Sequence, residues 1–325
     1  TLSGANDYTG LTTVGKGAAL RLTETGSITN DVVVSGLLGN DGKIGDVVTA
    51  QTGGVVTGNG SFWGIDVAKG ARVAPGNTVD PAKQIATMTV GGDFRQQSGS
   101  IYEAGLGQTS DLIDIAGTAG IDGGAQVELL RQGAVSTETR YTLLTAAKGV
   151  DGTYSGLTGT LATDSPFVDF ELAYDPTNVF LDVSRTSTAF ADVASTFNQR
   201  STATASEALG GGNPIYDNIL LLTEQESRNA FDMLSGEVHA SARGALIEDS
   251  HFIRDAASER IRAAFDGVAA SAVPVMAYGP GGPEAAPATS ENFAVWGRGF
   301  GAWGHLDGNG NAARLDRATG GFIAG

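Results

Sequence analysis

The chain has three histidines as acid–base groups, His239, His251 and His305. His251 follows Asp249 and Ser250, so the residue types of a serine hydrolase triad stand side by side. A triad needs the hydroxyl, the imidazole and the carboxylate in one relay. Consecutive residues of a helix point about 100° apart, and this segment has helical periodicity, so the three side chains do not converge. We therefore expect a polar helix face here, and no Gly-x-Ser-x-Gly turn occurs elsewhere.

Two glycine-rich stretches come close to nucleotide-binding motifs. Residues 10–16 nearly match a phosphate-binding loop, but Gly17 replaces the hydroxyl residue that would hold magnesium. Residues 299–304 match the dinucleotide pattern, but they lie in an aromatic strand without the strand–helix–strand unit that the motif needs. We interpret the first as a turn between strands and the second as a chance match.

Metal-binding patterns are also incomplete. Residues 307–311 resemble the start of a calcium loop, but Ala312 and Ala318 stand where the loop needs Gly and Glu. Residues 40–46 resemble one turn of a calcium-binding β-roll, which needs stacked repeats. The absence of cysteine excludes disulfides, zinc–thiolate sites and a cysteine nucleophile. We therefore expect no cofactor, no metal and no catalytic residues, and a chain that is not an enzyme.

Composition narrows the classes of partner. The chain has 36 acidic against 20 basic residues, which gives a net charge of −16. Nucleic acids and anionic lipid headgroups would be repelled. The 48 glycines, without a collagen period, indicate many tight turns. Because no secretion signal opens the sequence at Thr1, we expect the start to be a cut end.

Residues 1–185 form a long series of short β segments separated by Gly, Asn and Asp. Val, Ile and Thr recur about every 20 residues, a spacing typical of stacked coils in a parallel β-helix. A β-sandwich is the rival interpretation, but it would need hairpins with two-residue turns. The predicted strands include residues 19–22, 31–34, 64–67, 86–90, 114–115, 126–129, 141–144 and 179–183.

Residues 191–265 change to helical periodicity. Thr223 and Glu226 form a capping-box pattern, and apolar residues then recur at steps of three, four or more. A helix over 242–265 would be about 36 Å long at about 1.5 Å per residue, longer than the roughly 30 Å thickness of membrane hydrocarbon. Its charges suit a polar barrel lumen, and an amphipathic helix on a soluble domain is the alternative. Residues 273–290, with four prolines, are expected to be a linker.

The end of the chain alternates with a two-residue period. Phe293 and Val295 are expected on one face and Trp296, Arg298 and Phe300 on the other, and a second strand is expected near 315–323. Aromatic residues at strand ends fit the wall of a membrane β-barrel, which needs at least about eight strands. Residues 291–325 are therefore expected to be the start of a truncated barrel. The aromatic residues assigned to its strands are Phe293, Trp296, Phe300 and Trp303.

Three segments, taken in order, resemble a classical (type V) autotransporter of Gram-negative bacteria. Residues 2–14, LSGANDYTGLTTV, are similar to the passenger-associated repeat of that family. Five segments are similar to the final coils of the passenger and to its autochaperone region: residues 73–77, 88–94, 99–103, 110–117 and 141–145. The connector and the first translocator strands are resembled by residues 234–241, 296–305 and 307–325.

The resemblance implies a mainly β fold. A right-handed parallel β-helix with an autochaperone region would occupy residues 1–185, a helical connector 186–272, the linker 273–290, and the first strands of an outer-membrane β-barrel 291–325. The barrel would lie in the outer membrane and the passenger at the cell surface or secreted. Implied partners are outer-membrane lipid, the barrel-assembly machinery, periplasmic chaperones and the surface of a host or neighbouring cell.

The function implied is secretion and surface folding of the chain's own passenger. Coils around 73–185 would fold first outside the cell and template those upstream. Two alternatives stay open: the β-helix is itself an adhesin, or it is the stalk of a protease or lipase whose catalytic domain precedes residue 1. The connector has no Asn-Asn dipeptide, so release of the passenger is left open. The residues expected to form the folding nucleus are Phe94, Tyr102, Ile113, Ile115, Tyr141 and Leu143.

Overall fold

The structure is a computed structural model that describes residues 1–76, 84–159, 161 and 165–325. It is mainly β, with 41% strand and 19% helix. The chain divides into two compact units. The first comprises Thr1–Val193 and Thr204–Arg228, and the second comprises Ala194–Ala203 and Asn229–Gly325.

In the part of the first unit that the structure describes there are twenty-one strands. The first ten are β1 Ala5–Asn6, β2 Thr12–Val14, β3 Ala19–Leu22, β4 Ser27–Ile28, β5 Val32–Val34, β6 Leu37–Asn40, β7 Lys43–Ala50, β8 Val55–Gly58, β9 Ser61–Val67 and β10 Arg72–Pro75. The others are β11 Thr87–Val90, β12 Phe94–Gln96, β13 Ile101–Leu106, β14 Leu112–Ile115, β15 Ala119–Ile121, β16 Gln126–Arg131, β17 Thr139–Ala146, β18 Val150–Gly152, β19 Leu157–Thr158, β20 Val168–Tyr174 and β21 Asn178–Arg185.

Five of these strands, β2, β5, β12, β15 and β18, pair in parallel with one another or with β7 and β9 in a third row. The other sixteen form two long ladders. One has the order β1-β4-β7-β9-β11-β14-β17-β21-β20, and the other has the order β3-β6-β8-β10-β13-β16-β19. The described strand pairings among β1–β19 are parallel, for example between β6 and β8 and between β13 and β16. The predicted spacing of about 20 residues fits the early coils, since Ala19 pairs with Leu37. Later coils are longer, since Tyr102 pairs with Val127.

The core of this unit consists of inward side chains stacked coil upon coil. Leu38, Val56, Val73, Tyr102 and Val127 are successive partners along one ladder, and each is 0% exposed. Full burial of such a side chain contributes about 1.5–3 kcal/mol. The two-residue alternation of the sequence places these residues inward, so the stack is stabilised mainly by repeated aliphatic rows.

The stack ends in an antiparallel arrangement. β21 pairs antiparallel with both β17 and β20. The reversal occurs at Asp175, whose Oδ1 accepts hydrogen bonds from the backbone N–H groups of Thr177 at 2.8 Å and Asn178 at 2.7 Å. The prediction of a strand at 179–183 is confirmed, but this strand joins a hairpin and not a further parallel coil.

The helical segment contains a short 3-10 helix and four α-helices. The 3-10 helix is Phe190–Val193, and the others are α1 Phe197–Glu207, α2 Pro214–Ile219, α3 Glu224–Leu234 and α4 Glu237–Ala264. The capping box is confirmed, because Thr223 Oγ1 accepts from Glu226 N at 3.2 Å and Glu226 Oε2 accepts from Thr223 N at 3.0 Å. Among the described residues, no helix has both the length and the apolar composition needed to cross a membrane.

The second unit adds five strands to α4. These are β22 Val275–Gly279, β23 Gly282–Ala286, β24 Ala294–Val295, β25 Gly297–Leu306 and β26 Leu315–Ala324. β22 pairs with β23 and β24, and β25 pairs with β26, all antiparallel. The segment 273–290, expected to be a linker, therefore contains a hairpin. Its turn is permitted by Gly282 at φ 105°, which a residue with a side chain rarely adopts.

The predicted domain boundaries stay predictions, but the compact units do not follow them. The first unit passes residue 185 and includes residues 186–193 and 204–228. In the second unit, Val275 and Ala288 are buried against Ala263 of α4, with Trp296 partly buried beside them. The prolines and glycines of 273–290 thus belong to a packed hairpin because this apolar contact holds it.

Candidate functional site: the bulged end of the parallel stack

The six residues predicted to form a folding nucleus are all buried in the first unit. Their exposed fractions are 1% for Phe94, 0% for Tyr102, 0% for Ile113, 1% for Ile115, 4% for Tyr141 and 0% for Leu143. Burial alone does not test a role in folding, which stays a prediction. Tyr102, Tyr141 and Leu143 meet where β17 joins the hairpin, whereas Phe94 lies on β12, between Ile65 and Ala119.

A β-bulge lies at the centre of this site. Along β17 and β21, Thr142 pairs with Phe180 and Leu144 pairs with Val179, so the ladder skips Leu143. The hydroxyl of Tyr102 donates a hydrogen bond to the carbonyl of Leu143 at 2.9 Å. Ser110 Oγ donates to the carbonyl of Thr142 at 3.1 Å. Two carbonyls at the bulge are therefore satisfied by side chains of an earlier coil, as buried backbone groups require.

Tyr141 makes the complementary connection from the bulged strand. Its hydroxyl donates to the carbonyl of Gly107 at 2.9 Å and accepts from the backbone N–H of Ser136 at 3.0 Å. Tyr102 thus reaches forward from β13 to β17, and Tyr141 reaches back from β17 to the segment after β13. This pair of tyrosines links the last parallel coils to the start of the antiparallel end.

Asp111 is a buried carboxyl beside these tyrosines, 1% exposed. Its two oxygens accept backbone hydrogen bonds from Ala86 and Gly105, each at 2.8 Å. Burial raises the pKa of Asp111 to about 7, although the two backbone donors act in the opposite direction. Burial also raises the pKa of Tyr102, and the charge of Asp111 adds to that rise.

The carboxyl of Asp111 fits because position 105 has no side chain. A Cβ on Gly105 would lie 2.9 Å from Asp111 Oδ2 and 2.9 Å from the side chain of Gln132. With both oxygens bound to the backbone, Asp111 fixes the ends of two strands. The arrangement supports an ordering role for the carboxyl in this end of the stack.

The predicted barrel aromatics lie in different environments of the second unit. Phe300 stacks on Phe252 of α4, with ring centroids 4.8 Å apart and planes at 21°. Trp296 packs on the buried cluster of that unit. Phe293 and Trp303 are 76% and 84% exposed. Phe300 and Trp296 therefore pack within the unit, whereas Phe293 and Trp303 are largely exposed.

The Asp249–Ser250–His251 sequence lies on α4, as expected for a polar helix face. Ser250 Oγ donates to the carbonyl of Ile247 at 2.6 Å, and His251 Nδ1 lies 2.5 Å from the carbonyl oxygen of Glu248. Asp249 Oδ2 accepts from Thr319 Oγ1 at 2.8 Å. The three side chains engage separate partners, so this geometry does not form a hydroxyl–imidazole–carboxylate relay.

The remaining motifs lie in strands or in the turns that join them. Within residues 10–16, Thr12–Val14 forms β2, and residues 299–304 fall within β25. In the calcium-like stretch 307–311, Asn309 Oδ1 accepts two backbone hydrogen bonds, as in a tight turn. In the stretch 40–46, Asn40 bonds to Gly42 and to the next coil. Over the described residues, no group of three His, Asp or Glu side chains is placed to hold a metal ion.

Two buried polar groups were missed from the sequence. Asp111 carried no distinguishing signal, because its partners are backbone N–H groups. Gln96, 0% exposed, accepts a 2.9 Å hydrogen bond from the hydroxyl of Tyr154 inside the stack. Burial raises the pKa of Tyr154. A signal for Gln96 did exist, since it occupies an inward position two residues after Phe94.

Comparison with known proteins gives two curated relatives, both named extracellular serine protease, from Serratia marcescens. One is 27% identical over 378 residues, covering 99% of this chain and 34% of the relative. The other is 25% identical over 368 residues, covering 97% of this chain and 33% of the relative. No protein-family model matches the chain. The chain spans about a third of the length of these relatives.

These relatives overturn the expectation that the chain is not an enzyme. Proteins aligned along nearly its whole length are named as serine proteases. The expectation was wrong because it rested on a search for a catalytic constellation among 325 residues, whereas the named relatives are about three times as long.

Proposed function

We propose that this chain is part of a secreted serine protease of the autotransporter type, and that its parallel stack drives surface folding of the exported protein. The observation that carries the proposal is the alignment of 99% of the chain with a protein named extracellular serine protease. The sequence motifs that resemble autotransporters, in their order along the chain, support the same conclusion. The protein is accordingly placed at the cell surface or outside the cell.

For the fold, we propose that residues 1–185 form a right-handed parallel β-helix. The parallel ladders, which the chain visits in turn from coil to coil, support this assignment. Parallel crossover connections are right-handed in about 98% of cases, which supplies the handedness. The final turn would be closed by the β20–β21 hairpin.

The proposed mechanism converts folding into transport. Each coil that stacks on the previous one buries another aliphatic row and pairs its backbone, so every addition disfavours sliding back. The bulged end is the proposed starting point, because Tyr102, Tyr141 and Asp111 give it hydrogen bonds of its own. Coils closer to the N-terminus would then add in turn.

We propose that the second unit provides the outer-membrane end. Arg317 Nη1 lies 2.6 Å from Glu248 Oε2 of α4, and Arg298 pairs with Glu259 of the same helix. On the opposite face of this hairpin, Trp303 and Phe322 are 84% and 71% exposed. A face that joins the helix through two arginines and Phe300, and an opposite face with exposed aromatic residues, suit a membrane β-barrel wall. Outer-membrane lipid, the barrel-assembly machinery and periplasmic chaperones are its proposed partners.

The folding role is tested by surface display of the full-length protein carrying Tyr141→Asp or Leu143→Asp. A buried charge at either position should prevent the bulged end from folding, so display should fall at least tenfold. Thr142→Asp is the matched control and should retain display, because Thr142 lies between the two buried residues on the same strand and is itself only partly buried. Normal display of both buried-site variants would refute a folding nucleus at this site.

Protease activity is tested on the full-length secreted protein with a fluorophosphonate probe and casein. Covalent labelling together with casein hydrolysis is the expected result. Ser250→Ala should retain both, because the hydroxyl of Ser250 bonds to a helix carbonyl. Absence of labelling and hydrolysis would overturn the assignment as a serine protease.

A further inference from the structure

A segment of short helices packs beside the hairpin at the end of the first unit. We propose that residues 186–193 and 204–220, here called the strap, are an end-stop that seals the C-terminal end of the parallel stack, and that Arg185 locks the strap in place. A stacked β fold needs such a device because an open sheet edge pairs readily with another strand. At this end the two long ladders terminate at β20 and β19, and the third row of strands terminates at β18.

Arg185 is the last residue of β21 and joins three segments. Its Nη2 donates to Glu207 Oε1 at 2.9 Å, and its Nη1 donates to the carbonyl of Phe167 at 3.0 Å. The guanidinium carbon lies 5.4 Å and 5.3 Å from the ring centroids of Phe167 and Phe190. Planar stacking and a fork of donors are properties of arginine that lysine does not share.

Glu207 completes the lock from the side of the strap. Its second carboxylate oxygen accepts the backbone N–H of Phe190 at 3.0 Å. A single carboxylate therefore holds both the arginine of the hairpin and the start of the 3-10 helix. The side chain of Arg185 is 19% exposed, so this ion pair is largely shielded from water.

An apolar seal surrounds the lock. Phe190 is 0% exposed and packs edge-on against Phe167 of the hairpin side, with ring centroids 4.8 Å apart. Tyr216 of α2 lies on Phe190 with centroids 5.2 Å apart. Ile219 and Leu220 are each 2% exposed. Aromatic contacts of this kind add stability beyond the area that they bury.

The strap also reaches the second ladder. Arg131, the last residue of β16, donates from Nη2 to Asn218 Oδ1 of α2 at 2.6 Å. Ser165 Oγ, in the chain before β20, donates to the carbonyl of Leu220 at 2.6 Å. These contacts join the strap to β16, the strand next to the terminal strand β19, and to the segment that leads into β20. On β20 itself, the exposed Asp169 and Glu171 further disfavour pairing with another chain.

This proposal extends the proposed folding role of the stack. Only its consequence for export of the protein rests on that role. A sealed C-terminal end leaves the opposite end as the one at which strands add. The strap would thus give the stack a direction of growth. It would also prevent two folded copies from joining end to end.

The test compares Arg185→Gln with Arg140→Gln in the purified chain of residues 1–325. Arg140 is a matched control, since it makes a two-bond ion pair, at 2.7 and 2.6 Å, with Asp182 of β21, the strand that carries Arg185. The side chain of Arg140, however, is 56% exposed. Exposed pairs contribute little to stability. We expect Arg185→Gln to raise amide hydrogen exchange in β20 and β21 at least tenfold and to produce concentration-dependent oligomers in light scattering. Arg140→Gln should stay monomeric, with exchange changed less than threefold.

Two further variants keep the proposal falsifiable. Glu207→Gln breaks the lock from the strap side and should give the same oligomers if Arg185→Gln fails to fold. Arg185→Lys should be intermediate, because it keeps the charge and loses the stacking and the fork. Monomeric protein with unchanged exchange for both Arg185→Gln and Glu207→Gln would overturn the proposal, as would equal oligomerisation of Arg140→Gln. If oligomers form but surface display is normal, the end-stop stands and the proposed export role fails.

Discussion

Replacing Tyr102 with Phe removes one hydroxyl from the bulged end of the stack and leaves the ring in place. The hydroxyl lies 2.9 Å from the carbonyl oxygen of Leu143 and 3.3 Å from that of Asp111. Tyr102 and Leu143 are both 0% exposed, so water has no direct access to the carbonyl that loses its donor. The ladder does not supply a replacement, because the pairing of β17 with β21 skips Leu143.

The magnitude follows from the two consequences of this loss. A typical hydrogen bond contributes about 1 kcal/mol net, and a buried acceptor left without a partner costs about 1–3 kcal/mol. We count one bond, since a hydroxyl has one proton, and expect Tyr102→Phe to destabilise the first unit by about 2 kcal/mol. At about 1.4 kcal/mol per factor of ten, the opening equilibrium of β17 should rise about 30-fold.

Native-state hydrogen exchange of the amides in β13 and β17 measures this directly. Tyr8→Phe is the control, because the Tyr8 hydroxyl pairs with Thr12 Oγ1 at 2.9 Å in an exposed part of the same unit. Surface substitutions of that kind usually change stability by less than about 0.5 kcal/mol. If Tyr102→Phe changed exchange no more than Tyr8→Phe does, the bulge would not depend on this hydroxyl, and the reasoning would be refuted.

Three further predictions follow from the same structure. Since the pKa of Asp111 is about 7 when folded and about 3.9 when unfolded, its stabilising contribution is complete below about pH 3.9 and is lost as the pH rises to about 7. The free energy of unfolding measured in urea should therefore fall between pH 5 and pH 8, by at most about 3 kcal/mol, and Asp111→Asn should flatten that slope. Gly36→Ala should lower the free energy of unfolding by about 2–3 kcal/mol, because its Cβ would lie 2.3 Å from the carbonyl oxygen of Ala18. Gly10→Ala is the control, because open space surrounds its Cβ, and it should change the melting temperature little. Thr223→Ala should remove the capping box and cost about 1 kcal/mol in urea unfolding, and Thr223→Ser should restore most of it.

The strands could be predicted because their signals are local. Alternation of apolar and polar residues marks the inward row, and glycine with asparagine or aspartate marks the turns, so segments such as Ala19–Leu22 match the prediction residue for residue. The direction of pairing has no such signal. Residues 141–144 and 179–183 were both predicted as strands, but their antiparallel pairing depends on the turn at Asp175 and on the contacts of the hairpin.

The hairpin within residues 273–290 could not be predicted for a related reason. Proline and glycine are frequent both in flexible linkers and in tight hairpin turns. What separates the two cases is whether the flanking residues find an apolar surface. Here Val275 is buried at 6% exposure against Ala263 of α4, a partner twelve residues earlier across a reversal of the chain. Composition within a window cannot contain that information.

The candidate site sets a deeper limit on prediction from sequence. Aromatic residues at positions 102 and 141 could be predicted to be buried, and they are, but the part of each side chain that organises the bulge is its hydroxyl. The acceptors are backbone carbonyls of Leu143 and Gly107, and a carbonyl carries no residue identity. By hydrophobic pattern alone, Phe at either position would serve as well as Tyr. A measured difference between Tyr102→Phe and the parent chain therefore isolates the contribution that pairing geometry adds to the sequence pattern.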